Sequence, residues 1–248
     1  MYSRDSAISG SLLPNNKELK MSTGTSWVEL PGAANDIGVG SDGAAWVTGT
    51  NKVGGGFGIY RWNGMNWDGV SGGAVRIAVG PDGSPWVVND SGNIYHRVAA
   101  DWRQLPGNAH DIGVGGDGTA WVIGSNSVGG GYGIYRWNGS NWDSVDGGAV
   151  RIAVGFDGSP WVVNSSGNIY VRGVSGWRQV PGAATDIGVA ADGSVWVTGT
   201  NKVGGGFGIY RWNGTGWDNV SGGAVNISVS PNGLPWVVNS EGAIYRRA

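Results

Sequence analysis

Asp36-Ile37-Gly38-Val39-Gly40-Ser41-Asp42-Gly43-Ala44-Ala45-Trp46-Val47 reads as a strand, a tight turn and a second strand. Asp-Gly supplies the positive φ that two-residue hairpin turns require. The turn returns as Asp82-Gly83, Asp117-Gly118, Asp157-Gly158, Asp192-Gly193 and Asn232-Gly233. A tryptophan stands three residues after each turn glycine: Trp46, Trp86, Trp121, Trp161, Trp196 and Trp236. Working outward, each copy continues to an Ile-Tyr pair such as Ile59-Tyr60. A second tryptophan set, Trp27, Trp67, Trp102, Trp142, Trp177 and Trp217, is spaced 40, 35, 40, 35 and 40 residues apart. A fixed internal period of this size marks a repeat architecture. Trp62, Trp137 and Trp212 complete the fifteen tryptophans and need a separate explanation.

Each unit predicts four short strands, in the first copy about 36–40, 44–50, 57–62 and 66–70. Six four-stranded antiparallel units predict an all-β, six-bladed β-propeller, whose radial packing hides the sheet faces between neighbours. Glycine-rich inner strands such as Ile37-Gly38-Val39-Gly40 suit the centre, where backbones converge. The sixth unit has strands at 226–230, 235–239 and 243–247 and then runs out of chain. Ser26-Trp27-Val28-Glu29-Leu30, conversely, is a fourth strand with no unit before it. It is expected to complete the last blade and remove an exposed sheet edge. The domain reading is an N-terminal arm at 1–24 and one propeller at 25–248. Twelve tryptophans, with Tyr60, Tyr95, Tyr135, Tyr170, Tyr210 and Tyr245, are then read as packing between blades.

Composition narrows the function. Fifty glycines would mean disorder if unpatterned, but here they recur at fixed turn and strand positions. Net charge is −2 and there is no basic run, so nucleic acid has little electrostatic support as a partner. With no cysteine there is neither a disulfide frame nor a thiolate metal site. No apolar run has signal-peptide or membrane-spanning length, so a cytoplasmic protein without membrane insertion is expected.

Units alternate between two forms. Odd units carry a long loop between strands two and three, at 49–56, 124–131 and 199–206, where even units have a short turn. The true period is a pair of units, 75 residues from Trp27 to Trp102 to Trp177. Two residues after each tyrosine comes Trp62, Arg97, Trp137, Arg172, Trp212 or Arg247, on the tyrosine's face of the strand. These flat side chains either pack as cation–π pairs or face a ligand, and the sequence leaves both open. Charges alternate along the inner strands (Asp36, Arg76, Asp111, Arg151, Asp186, then Asn226) and after the outer tryptophans (Asp68, Arg103, Asp143, Arg178, Asp218). Such alternation predicts ion pairs around the ring.

Nothing singles out a catalytic pair. Most aspartates recur at repeated positions, whereas glycoside cleavage needs two carboxylates in different environments within one cleft. His96 and His110, the only histidines, show no metal-ligand spacing. No enzyme, metal or cofactor is expected. A near-neutral surface rich in Asn, Ser, Thr and Gly, with aromatics at regular intervals, suits uncharged polyhydroxyl ligands. Repeating weak sites recovers affinity through avidity.

The recurring string, seen as Trp27-Val28-Glu29-Leu30-Pro31-Gly32-Ala33-Ala34-Asn35-Asp36-Ile37 running on to Trp46-Val47, and again from Trp102 and Trp177, resembles the tectonin repeat. The resemblance covers 25–248. It implies a β-propeller lectin similar to tachylectins and fish-egg lectins, in the fungal branch a cytoplasmic defence lectin for O-methylated glycans of bacteria and nematodes. Methylated mannose or fucose types are the glycans expected. The even units depart from the string, with Gly72-Gly73-Ala74-Val75-Arg76 in place of Pro-Gly and the following Asp. The candidate ligand-binding residues are Trp62, Arg97, Trp137, Arg172, Trp212 and Arg247, with Asn51, Phe57, Asn126, Tyr132, Asn201 and Phe207 of the long loops. The rival class is a propeller scaffold for protein–protein interaction. The sequence leaves oligomeric state open, a homo-oligomer included.

Overall fold

The computed structural model describes residues 25–248, and the arm expected at 1–24 lies outside them. Their strands pair antiparallel into two seven-stranded and two four-stranded sheets. Each seven-stranded sheet holds two four-stranded units joined by a shared strand. Trp27–Val39 lies beside Ala243–Arg247 in its first half and beside Ala45–Val53 in its second. Asp101–Val114 likewise joins Asn93–Val98 to Ala120–Val128. The sequence reading had the outer and inner strands as separate pieces. In these two places one strand carries both, the backbone turning through positive φ at Gly32 (88°) and Gly107 (82°) while the register slips, at Leu30/Ala33 and Ala34/Asp36 in the first; elsewhere they are separate strands.

The expected pairing of the first strand with the last is present. Trp27, Val28, Glu29 and Leu30 lie opposite Arg247, Arg246, Tyr245 and Ile244. The inner strands pack side by side in chain order, and Asn226–Val229 packs against Trp27–Val39. Their crowding explains the central glycines: a Cβ on Gly40 would stand 2.7 Å from the carbonyl oxygen of Gly80.

The long odd loops are strands for most of their length. Ala45–Val53 turns at Gly54-Gly55 into Gly56–Trp62, with Lys52 opposite Phe57 and Val53 opposite Gly56. Glycine makes this tight hairpin affordable, with φ of 89° at Gly55 and 129° at Gly56.

Both repeated tryptophan sets join neighbouring units. Trp46, Trp86, Trp121, Trp196 and Trp236 are buried, and Trp161 is half-buried. The outer tryptophans use the indole N–H as a staple. Trp67, Trp102, Trp142, Trp177, Trp217 and Trp27 donate to the carbonyls of Pro31, Ser71, Pro106, Asp146, Pro181 and Ser221, at 2.6–2.8 Å. Every acceptor lies on the outer strand of the unit before it, Trp27 reaching Ser221 of the unit ending at Ala224.

At the centre part of the expected ion pairing is present. Arg76 lies between Asp36 (3.6 Å) and Asp111 (3.7 Å), and Arg151 lies 3.5 Å from Asp186. Each aspartate also accepts a backbone N–H from the next inner strand: Ile77 to Asp36, Ile152 to Asp111, Ile227 to Asp186. The outer charges behave otherwise. Asp68, Asp143 and Asp218 accept from Asn63, Asn138 and Asn213 inside their own units. A short turn amide reaches them before a neighbouring unit's arginine can, so this half of the expected ion-pair pattern is a local turn contact.

Candidate functional site

Besides an open groove of about 420 Å³ beside Asn51 and Tyr60, two kinds of hollow lie in this architecture. The central one, lined by the inner strands, measures about 80 Å³. The other kind lies between an odd unit and the even unit after it, and it occurs three times. Two of these clefts measure about 200 Å³ and the third about 320 Å³.

Each cleft is built the same way. In the first, the even unit supplies Val87, Asn89, Tyr95 and Trp102. The odd unit supplies Ile59 and two glycine pairs, Gly54-Gly55 and Gly72-Gly73. The second cleft repeats this with Asn164, Tyr170 and Trp177, the third with Asn239, Tyr245 and Trp27. Absent side chains make the space. A Cβ on Gly72, where φ is +118°, would meet the Trp102 indole nitrogen at 3.0 Å and Ile59 at 3.5 Å. The odd hairpin is tied over the cleft by its backbone: Asp90, Ser165 and Ser240 donate their N–H groups to Gly55, Gly130 and Gly205.

The two tyrosine sets differ in what their hydroxyls do. In odd units Tyr60, Tyr135 and Tyr210 donate to Asn51, Asn126 and Asn201 at 2.9, 2.9 and 3.0 Å. The candidate asparagines therefore hold the long hairpin to its own sheet. Asn51 also borders an open groove with Tyr60 and Ser71. In even units the hydroxyls of Tyr95 and Tyr170 make no hydrogen bond among the described residues, and the Tyr245 hydroxyl lies in the field of Glu29 and Glu241.

The alternating Trp/Arg position has one structural job in all six units, which is to cover the outer tryptophan. Trp62, Trp137 and Trp212 lie 5.0, 4.9 and 5.0 Å from Trp67, Trp142 and Trp217. Arg97, Arg172 and Arg247 sit 5.5, 5.4 and 5.5 Å over Trp102, Trp177 and Trp27. These arginines thus stack on the aromatic walls of the clefts. The three tryptophans instead pack onto apolar clusters containing Leu30, Leu105 or Val180, and Trp62 also meets Trp236 edge-on at 6.4 Å. Phe57 and Phe207 are half-buried on the odd hairpins, and Tyr132 stacks on His110 at 4.1 Å. Since Trp62 fills a unit interface, Trp62→Ala should cost about 3 kcal/mol in urea unfolding. An unchanged midpoint would remove it from the packing.

Sequence reasoning missed one more set. The residue between the tyrosine and the Trp/Arg position covers the strand-two tryptophan. Arg61, Arg136, Arg211 and Arg246 lie 5.6–5.9 Å over Trp46, Trp121, Trp196 and Trp236, and His96 stacks on Trp86 at 4.0 Å. The alternation of faces along a strand would have revealed it. Among the described residues no group of three His, Cys, Asp or Glu side chains could hold a metal ion.

An antiparallel ring of repeated units with three like clefts defines a propeller protein. The chain belongs to the tectonin family: the Tectonin domain model matches residues 12–172 and 47–207. No curated protein matches it. Among solved structures it is similar to a chain of the mitotic checkpoint complex (10% identity, TM-score 0.58, covering 98% of this chain and 99% of that one). It is similar to the gluconolactonase XC5397 from Xanthomonas campestris (14%, 0.62, 88% and 87%). It is also similar to YCF48 bound to D1 peptide (18%, 0.53, 90% and 82%). At these identities the likeness shows the fold alone.

Proposed function

We propose that the six units close into a six-bladed propeller that acts as a multivalent lectin, with a glycan in each cleft between an odd and an even blade. The single observation carrying this reading is the threefold recurrence of one cleft with one lining, at the 75-residue period. Each cleft offers a tryptophan and a tyrosine for the C–H face of a sugar, and an asparagine and backbone groups for its hydroxyls. A methyl ether is small and apolar. It fits the glycine-lined pocket between the rings without leaving a polar group unpaired, which favours the O-methylated glycans implied by the family. No catalytic role is assigned, since the buried carboxylates lie at the ring's centre, away from the clefts.

Calorimetry with a methylated monosaccharide is expected to give three sites per chain. Replacing Tyr95, Tyr170 and Tyr245 by Phe should weaken binding about tenfold at unchanged stability, because the ring stays and only a hydroxyl goes. The matched set Tyr60→Phe, Tyr135→Phe and Tyr210→Phe should cost stability, about 1 kcal/mol per lost bond, and spare binding. One site per chain, or equal binding losses in both sets, would refute the cleft assignment.

The second reading, a protein-interaction scaffold, draws on Val53, Val128 and Val203, exposed near the tips of the three odd hairpins. A glycan array separates the two. Array binding that free sugar competes away supports the lectin. A partner captured through the hairpin tips, with no sugar competition, supports the scaffold.

A further inference from the structure

The three clefts share a plan, but their charge differs at two matched positions. Opposite the cleft tyrosine, the outer strand presents Gln104 to Tyr95, Gln179 to Tyr170, and Glu29 to Tyr245. Directly opposed residues of antiparallel strands share a face, so Glu29 stands beside its tyrosine where the other clefts have a neutral amide. The even-blade turn carries Ser91, Ser166 and Glu241 in the same order. Glu241 lines the third cleft. This cleft is also the roomiest, at about 320 Å³ against about 200 Å³ for each of the others.

The remaining charges leave the contrast intact. An arginine stacks on the cleft tryptophan in all three clefts, so it does not distinguish them. In the second cleft that arginine is paired, Arg172 to Asp146 at 2.6 Å. Near the first, Asp90 accepts from Ser91 in the exposed turn and stands outside the lining, as Glu29 does at the third, so Glu241 is the carboxylate that sets the third lining apart. Tyr245 reports the local field: burial first, then the charges of Glu29 and Glu241, push its hydroxyl above the ordinary tyrosine range.

We propose that the third cleft is a specificity site for a sugar bearing a protonated amine, a hexosamine unit with its nitrogen free, while the first two clefts take neutral sugars. Trp27 and Tyr245 supply the stacking face, Glu241 accepts from the ammonium, and Glu29, opposite Tyr245 in the ladder, adds its negative charge from just outside the lining. This inference rests on the lectin reading and narrows it.

The test is calorimetry on the full chain with methyl glucosaminide, its N-acetylated form and methyl glucoside, at low and high salt. The neutral sugars should titrate three like sites. The amine sugar should bind one site about fivefold more tightly than the other two, as one partly solvated ion pair allows, and high salt should erase the difference. The double variant Glu29→Gln with Glu241→Ser copies the first two clefts at two exposed positions. It should bind amine and neutral sugars alike, with an unchanged thermal midpoint. Identical isotherms for amine and neutral sugars on the parent, or a preference that survives in the variant, would overturn this inference and leave the lectin reading standing. Failure of every sugar to bind would overturn both.

Discussion

Deleting the chain through Leu30 is expected to abolish cooperative folding, whereas deleting residues 1–22 should leave the unfolding midpoint nearly unchanged. The longer deletion strips Ala243–Arg247 of its partner from Trp27 to Leu30 and leaves an unpaired sheet edge. It removes the Trp27 staple to Ser221, 2.6 Å long, and the ring beneath Arg247. It also removes Leu30, 7% exposed, from a cluster with Trp236, Val238 and Ile244. Losing a packed tryptophan and a buried leucine costs about 3–5 and 2–5 kcal/mol, which together rival the roughly 5–15 kcal/mol net stability of a whole domain. The shorter deletion touches none of these contacts. Urea unfolding followed by tryptophan fluorescence reads both variants. A longer deletion with the parent's midpoint would show that the first strand does not hold the last sheet.

The fold was legible because its signals are local and repeated. Asp-Gly turns fix hairpins, tryptophan spacing fixes the unit, and a first strand without a unit answers a last unit without a strand. The continuity of Trp27–Val39 was not legible, since Pro31-Gly32 reads as a break: Gly32 does turn through positive φ, and the pairing resumes beyond it only because the register slips. The clefts were harder still. Tyr95 and Trp102 have the same residue types at the same repeat positions as Tyr60 and Trp67, so pattern reading assigns all four to packing. What differs is the neighbour. Gly54-Gly55 and Gly72-Gly73 leave a wall without side chains on one side of that even unit, and those residues lie about 20–50 positions away in sequence. The position of Trp62 and Arg97 drew attention for its alternation. Its alternation reflects two ways of covering one ring, by a tilted indole or by a cation–π contact.

The central ring carries the other large expected effect. Five of its six positions alternate Asp and Arg, and the sixth, Asn226, breaks the order with a neutral amide. Asn226 is 7% exposed and donates to Asp36 at 3.3 Å, so Asp36 has an arginine on one side only. Asp186, on the far side of Asn226, is in the same position with Arg151. Burial, opposed in part by those arginines, raises Asp36 to about 6 and Asp186 to about 7. A carboxyl whose folded pKa lies above its unfolded value binds its proton more tightly when folded. It therefore contributes stability below the unfolded value, near pH 4, and loses it as pH rises through about 6–7. Stability should fall from about pH 4 to about pH 8, by on the order of 5 kcal/mol for the two groups together. Asn226→Arg would place a cation between the two carboxylates, lower both pKa values, raise stability at about pH 8 and flatten the slope. Asn226→Leu, with no charge to offer, should keep the slope. Denaturant unfolding across this range decides: a parent stability that rises toward pH 8, or an arginine variant with the parent's slope, would show that the gap in the ring does not control its protonation.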